Sequence, residues 1–169
     1  MACILITGGA GFIGSHTAEA LLRRGDSVRI LDNLSTGRAD NLGALEAIRE
    51  AIGAPASALL LHQGDLRSDD DVAAAVDGVE AVLHIGALPS VQRSCVDPLT
   101  SHEVNATGAL RLLIAARHTG IRRFVLASSS SVYGNAPELP KTETATPQPV
   151  SPYAASKLAA EHYCQLMYR

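Results

Sequence analysis

The sequence predicts an α/β fold on a doubly wound parallel sheet of strand order 3-2-1-4-5. Short apolar runs alternate with helix-period stretches along the whole chain, the pattern of a parallel sheet covered on both faces. The first run, from Ile4, passes straight into a turn with glycines at 8, 11 and 14. The second ends in Asp32, eighteen residues beyond Gly14.

In chain order the strands fall at 3–7, 27–32, 58–63, 81–85 and 124–128, each short, apolar and bounded by turn residues. Helices fit 12–24, closed by Gly25, then 41–51, 69–76 and 98–119, with a last one from Pro152 to the end of the sequence. Asp97-Pro98 and Ser151-Pro152 each read as an N-cap followed by proline at the first helical position. Right-handed crossovers between successive parallel strands then give the order stated. The stretch 135–149 is rich in Pro and Thr, has no period, and is too long for a plain connection, so it reads as a functional or locally flexible loop. The last helix is still amphipathic at Arg169 with no glycine stop, and no sixth strand follows to cover strand five. The expectation is therefore one domain, 1–169, that forms the amino-terminal part of a longer protein.

Composition narrows the function. Net charge is −3 with both signs interspersed, which gives no basic surface for nucleic acid or an anionic membrane. No apolar stretch reaches membrane-spanning length, and Met1 leads directly into the first strand, so no signal peptide is expected. Cys3, Cys95 and Cys164 are odd in number and far apart, fitting reduced thiols in the cytoplasm rather than a disulfide framework. Cys3, inside the first strand, reads as a small core hydrophobe. The six histidines show no ligand spacing, so no metal site is expected. His84 ends a buried run and reads as core or as a wall of a cofactor pocket.

Gly8, Gly11 and Gly14 open a Rossmann-like turn. Such a turn closes backbone amides on a pyrophosphate at a helix start, where the dipole also favours negative charge. Asp32 is placed to accept both hydroxyls of an adenosine ribose. A loop that merely turns is the alternative, weakened by Asp32.

Farther on, Tyr153 and Lys157 stand at i and i+4 of one helix and project from one face. An ammonium near a phenol favours the phenolate, which makes Tyr153 a general acid or base. Strand five opens into four serines, 128–131, at the carboxyl end of the sheet, where a dinucleotide also lies. A hydroxyl there suits a substrate oxygen that changes between alcohol and ketone. Taken singly the Tyr-Lys pair is weak, since a solvated helix face carries such pairs by chance; the serine-bearing strand and the glycine turn give it weight.

These motifs together resemble the extended short-chain dehydrogenase/reductase family, in its nucleotide-sugar epimerase/dehydratase branch. The resemblance covers essentially every residue present, but only the amino-terminal half or so of a typical member, and the carboxyl-terminal substrate domain is expected to be absent from this chain. Thr7-Gly8-Gly9-Ala10-Gly11-Phe12-Ile13-Gly14 resembles the family's glycine motif, and Asp32-Asn33-Leu34-Ser35-Thr36-Gly37 its ribose-binding segment. Gly64-Asp65-Leu66 resembles the segment that sets an aspartate near the adenine amine. His84-Ile85-Gly86-Ala87 resembles the stretch beneath the cofactor, and Asn105 matches the asparagine that braces the active site. Alignment on Val132-Tyr133-Gly134 makes Ser129 the counterpart of the catalytic Ser/Thr, beside Tyr153 and Lys157.

The family's 4,6-dehydratases carry Thr-Asp-Glu where this chain has Ser129-Ser130-Ser131, so dehydration is disfavoured. The resemblance then implies reversible oxidation at C4 of a UDP-hexose, as in 4-epimerases, with NAD as cofactor. A decarboxylase, a reductase that releases reduced cofactor, and a non-catalytic dinucleotide-binding module remain alternatives. Asp32 favours NAD over NADP because a 2′-phosphate would meet a carboxylate, although Arg38 lies nearby in sequence. Leu88 to Ser94 resembles the matching stretch of bacterial 4-epimerases, which makes Ser90 and Gln92 candidates for the hexose pocket together with Ser129, Ser130 and Tyr153; a plain loop is the other reading. The family also implies a homodimer through helices 98–119 and 152–169.

Overall fold

The computed structural model describes residues 2–135 and 140–167. The five parallel strands are β1 (Cys3–Thr7), β2 (Ser27–Asp32), β3 (Leu59–Gln63), β4 (Ala81–His84) and β5 (Arg123–Leu126), in the order β3-β2-β1-β4-β5. Alternation along β1 sends side chains to opposite faces, each with its own core. Leu5 joins Leu31, Val72, Val82 and Leu112 on one side. Ile4 and Ile6 join Ala18, Leu22, Val28 and Ile30 on the other.

Helix α1 (Phe12–Arg24) stops at Gly25, whose φ of +91° lets its amide reach back to the Leu21 and Leu22 carbonyls. Helix α2 (Ala39–Ala51) starts two residues before the expected 41. Helix α3 (Asp69–Val76) is capped by Ser68, which accepts the Asp71 amide, with three aspartates in the first turn to meet the dipole.

The structure departs from expectation between β4 and β5. A short helix α4 (Val91–Val96) follows Ser90; six residues are too few to show a helical period. The stretch 98–119 is not one α-helix. It comprises α5 (Pro98–His102), a π-helical turn (Glu103–Thr107) and α6 (Gly108–His118). A π turn inserts one residue per turn and re-aims its side chains, and here it points Asn105 inward. Asp97 caps α5 by accepting the Thr100 amide, with Pro98 at the first position as expected.

Strand ends also shift. Leu59 opens β3 after a 3-10 turn, Ala56–Ala58. β4 ends at His84 rather than at 85, and β5 spans Arg123–Leu126 rather than 124–128. The His84–Leu126 pair is the last in register, and the next amide, Ala127, still donates to the His84 carbonyl at 3.0 Å. Helix α7 (Pro152–Met167) carries Tyr153 and Lys157. Residues 136–139 of the loop 135–149, and the last two positions of the expected final helix, lie outside the described residues.

Candidate functional site

The register places Thr7 beside Leu31 and His84, so the carboxyl ends of β1, β2 and β4 open together. A cleft of about 470 Å³ lies there, the position where open α/β sheets bind ligands.

The glycine turn is forced by packing at two of its three positions. Gly8 has φ +70°, and a Cβ there would sit 2.7 Å from the Gly86 Cα. A Cβ on Gly14 would sit 2.2 Å from the Gly8 carbonyl oxygen. At Gly11 an added Cβ meets only the Gly8 carbonyl oxygen, at 3.2 Å, so approach of a ligand is the stronger demand for glycine. Gly11 caps α1 without a side-chain bond, and the amides of the first turn lack intrahelical acceptors. Phe12 and Ile13 stand in that turn on the cleft wall, 78% and 62% exposed.

Asp32 is buried at the end of β2. Its Oδ2 accepts the Ala10 amide at 2.9 Å and its Oδ1 the Leu34 amide at 2.8 Å. Each oxygen keeps a lone pair for a further donor. Gly37 lies directly against this carboxylate; a Cβ there would come within 2.9 Å of Oδ1. Asn33, Ser35 and Thr36 complete this wall. Asn33 accepts the Ser35 amide and donates to Asp65 Oδ2 at 2.9 Å. Arg38 turns to Asp40 at 3.2 Å, both exposed.

Asp65 and Leu66 line the cleft, with a clamp the sequence did not announce. Arg67 grips the Asp65 carboxylate through Nε to Oδ1 (3.0 Å) and Nη2 to Oδ2 (2.8 Å). Arg67 holds that carboxyl far below the usual range, against the opposing effect of burial. The geometry suits a rigid wall.

Ile85, Gly86 and Ala87 form the floor. His84 lies beneath it, 1% exposed and outside the cleft wall. Thr7 Oγ accepts the Gly86 amide at 3.0 Å and shares a 2.6 Å hydrogen bond with His84 Nδ1. His84 Nε2 is buried with no partner among the described residues. Burial first, and then the charge of Lys157, pushes this imidazole down to about 3. An unfolded histidine titrates near 6.5. Between about pH 6.5 and 3 the unfolded chain therefore binds a proton that the native state refuses, and stability drops as the pH is lowered, by up to about 1.4 kcal/mol per pH unit. Urea midpoints measured at pH 6.5 and 4.5 should fall more steeply for the unaltered protein than for His84→Asn; parallel falls contradict this.

At the far end stand Tyr153 and Lys157, both in the cleft wall. Lys157 is 2% exposed, and burial pushes its ammonium down against the pull of Cys164 and Glu161. Ser128 lines the wall, with its hydroxyl donating to Glu161. Ser129 and Ser130 are not in the wall; Ser129 Oγ accepts the Ser131 amide at 3.2 Å and lies 3.0 Å from Ser131 Oγ. Ser90 and Gln92 are likewise not in the wall, whereas Leu88 and Pro89 are. Asn105 is also outside it and acts as a brace. It accepts the Leu88 amide at 2.8 Å and donates to the Leu88 carbonyl (3.2 Å) and to Ser156 Oγ (3.3 Å).

The residues present fit a dinucleotide. A glycine cradle with open helix amides sits between a buried carboxylate with spare lone pairs and a Tyr-Lys pair on the same cleft.

Comparison with known proteins agrees. The family described as GDP-mannose 4,6 dehydratase matches residues 5–169. UDP-glucose 4-epimerase of Erwinia amylovora is 40% identical over 160 residues, covering 94% of this chain and 46% of that protein. The crystal structure of the Thermus thermophilus UDP-glucose 4-epimerase in complex with NAD superposes with a TM-score of 0.84 at 42% identity, over 97% of this chain and 50% of that one. DesIV, the dTDP-glucose 4,6-dehydratase of Streptomyces venezuelae with NAD and TYD bound, superposes with a TM-score of 0.88 at 34% identity, over 99% of this chain and 52% of that one. The chain thus spans about half the length of these relatives. By sequence and by fold, it belongs to the extended short-chain dehydrogenase/reductase family of nucleotide-sugar epimerases and dehydratases.

Proposed function

We propose that these 169 residues are the NAD-binding domain of a longer UDP-hexose 4-epimerase. One observation carries this choice within the family: the run leaving β5 holds serines at 129–131 and no carboxylate. Elimination of water needs a further acid and base at that place; epimerisation at C4 does not.

In this reading the amides of the α1 start and the Gly8–Gly14 turn hold the pyrophosphate, and Asp32 holds the ribose hydroxyls. NAD, when bound, supplies the hydride acceptor and donor at C4. Tyr153 takes the proton of the C4 hydroxyl and later returns it. The Lys157 ammonium, four residues on, stabilises the negative charge left on the phenol oxygen as its proton moves, and holds the nicotinamide ribose. Ser129 holds the C4 oxygen. Ser90, Gln92 and Ser130 are assigned to the hexose side of the pocket. Asp32, with Arg38 already paired to Asp40, supports NAD over NADP.

Pairing of two copies through 98–119 and 152–169 is part of the same proposal. It draws support from Leu99, Ile114 and Leu166, which expose 77%, 42% and 63% of their surface. A cytoplasmic setting is proposed from the three free thiols. No helix among the described residues is long and apolar enough to cross a membrane.

The similarity to a dTDP-glucose 4,6-dehydratase keeps a second reading in view. Incubation of the full-length protein with UDP-glucose separates the two. UDP-galactose is the expected product, and a 4-keto-6-deoxy sugar nucleotide would favour the dehydratase.

A further inference from the structure

The start of α7 sets where the Tyr153 phenol stands, and its exposed backbone donors are accounted for one by one. Pro152, at the first position, has no N–H. Ser151 Oγ accepts the Ala154 amide at 3.1 Å, and the Ser151 carbonyl accepts Ala155 at 2.9 Å. The Tyr153 amide has no cap from its own helix. It donates at 3.0 Å to Ser94 Oγ, fifty-nine residues away in α4.

Ser94 is 0% exposed. Its hydroxyl proton goes to the Val91 carbonyl at 2.7 Å, which turns a lone pair towards Tyr153. The Ser94 amide is held by the Ser90 carbonyl at 3.2 Å. Ser90 itself caps α4 by accepting the Arg93 amide, and holds φ +105°, a strained value for a residue with a side chain. The loop next to Leu88 and Pro89 in the cleft wall is thus tied to the Tyr153 backbone through one buried hydroxyl.

We propose that Ser94 is a positioning residue, which caps α7 from another element and fixes Tyr153 within reach of the reacting oxygen. The role rests on Tyr153 being the acid/base group of the 4-epimerase. Removing the Ser94 hydroxyl frees the second residue of α7 to shift against the cleft. Removing the Ser151 hydroxyl leaves an amide of the same helix turn unpaired without touching this tie. The Ser94 loss also unpairs the Val91 carbonyl, so the folded fraction is measured beside kcat, and the two losses differ in what they do to Tyr153.

The test compares Ser94→Ala and Ser151→Ala in the full-length protein. Ser94→Ala should lower kcat for UDP-glucose epimerisation about tenfold or more, with KM and NAD affinity within about twofold, while Ser151→Ala stays within about threefold in kcat. Ser94→Cys keeps the volume and weakens the acceptor; it should fall between, and it stands in for the alanine variant if that one does not fold. Equal kcat losses at positions 94 and 151, or loss that follows the folded fraction, overturn the proposal. Hydrogen exchange reads the tie without catalysis: Ser94→Ala should speed exchange at the Tyr153 amide and leave Ala154 protected, and no change at Tyr153 overturns it. If the unaltered protein turns over no UDP-sugar, the functional reading fails separately and the exchange measurement still decides the contact.

Discussion

Tyr153→Phe in the full-length protein should cut kcat for 4-epimerisation by about 10²- to 10⁴-fold, the usual worth of a positioned acid/base group. The substitution deletes one oxygen and keeps the ring. Tyr153 and Lys157 line the same cleft from one face of α7, and the backbone of residue 153 stays tied to Ser94. The fold and the cofactor cleft should therefore be preserved, with NAD affinity within about twofold by fluorescence or calorimetric titration. A kcat loss below tenfold would remove Tyr153 from the chemistry. A loss of NAD affinity as large as the loss of kcat would make it a binding residue only.

The second large effect belongs to Gly14→Ala. The added methyl would lie 2.2 Å from the Gly8 carbonyl oxygen and 2.8 Å from the Gly9 Cα. Both are backbone atoms of the turn, so no side chain can swing aside. α1 must lift away from β1, at about 1–3 kcal/mol of overpacking, partly offset by the ~1 kcal/mol better helix propensity of alanine. Lifting α1 also carries its first-turn amides off the pyrophosphate position. NAD affinity should fall about a hundredfold, close to 2.7 kcal/mol. Gly25→Ala is the internal control. Gly25 has φ +91° and open space around it, so alanine there should cost about 1 kcal/mol of stability and leave NAD affinity unchanged. If the two variants bind NAD equally well, the cradle is not where the pyrophosphate sits.

Much of this architecture is written locally in the chain. Ile4, Leu5 and Ile6 form a continuous apolar run because both faces of β1 are covered, and Gly8, Gly14 and Asp32 mark the turn and the strand end by residue type alone. The Asp97 and Ser151 caps and the Gly25 stop follow local rules, and each forms. What escaped is what depends on distant partners. The π turn at Glu103–Thr107 breaks no hydrophobic period, and it becomes visible only when Asn105 meets Leu88 and Ser156. The Arg67 grip on Asp65 could have been suspected from two opposite charges two residues apart, yet its bidentate geometry needs the turn after β3. The Ser94–Tyr153 contact spans fifty-nine residues with no motif to signal it. Within the serine run, sequence alone does not settle which residue lines the cleft; Ser128 does, while Ser129 caps the turn Ser130–Tyr133.

The most direct measurement is the fate of deuterium in UDP-[4-²H]glucose turned over by the full-length protein with NAD. The account predicts UDP-galactose with deuterium retained at C4 and no net accumulation of NADH, because the same carbon is oxidised and reduced on one cofactor. Deuterium found at C6 of a 4-keto-6-deoxy sugar, or reduced cofactor rising with product, would contradict it.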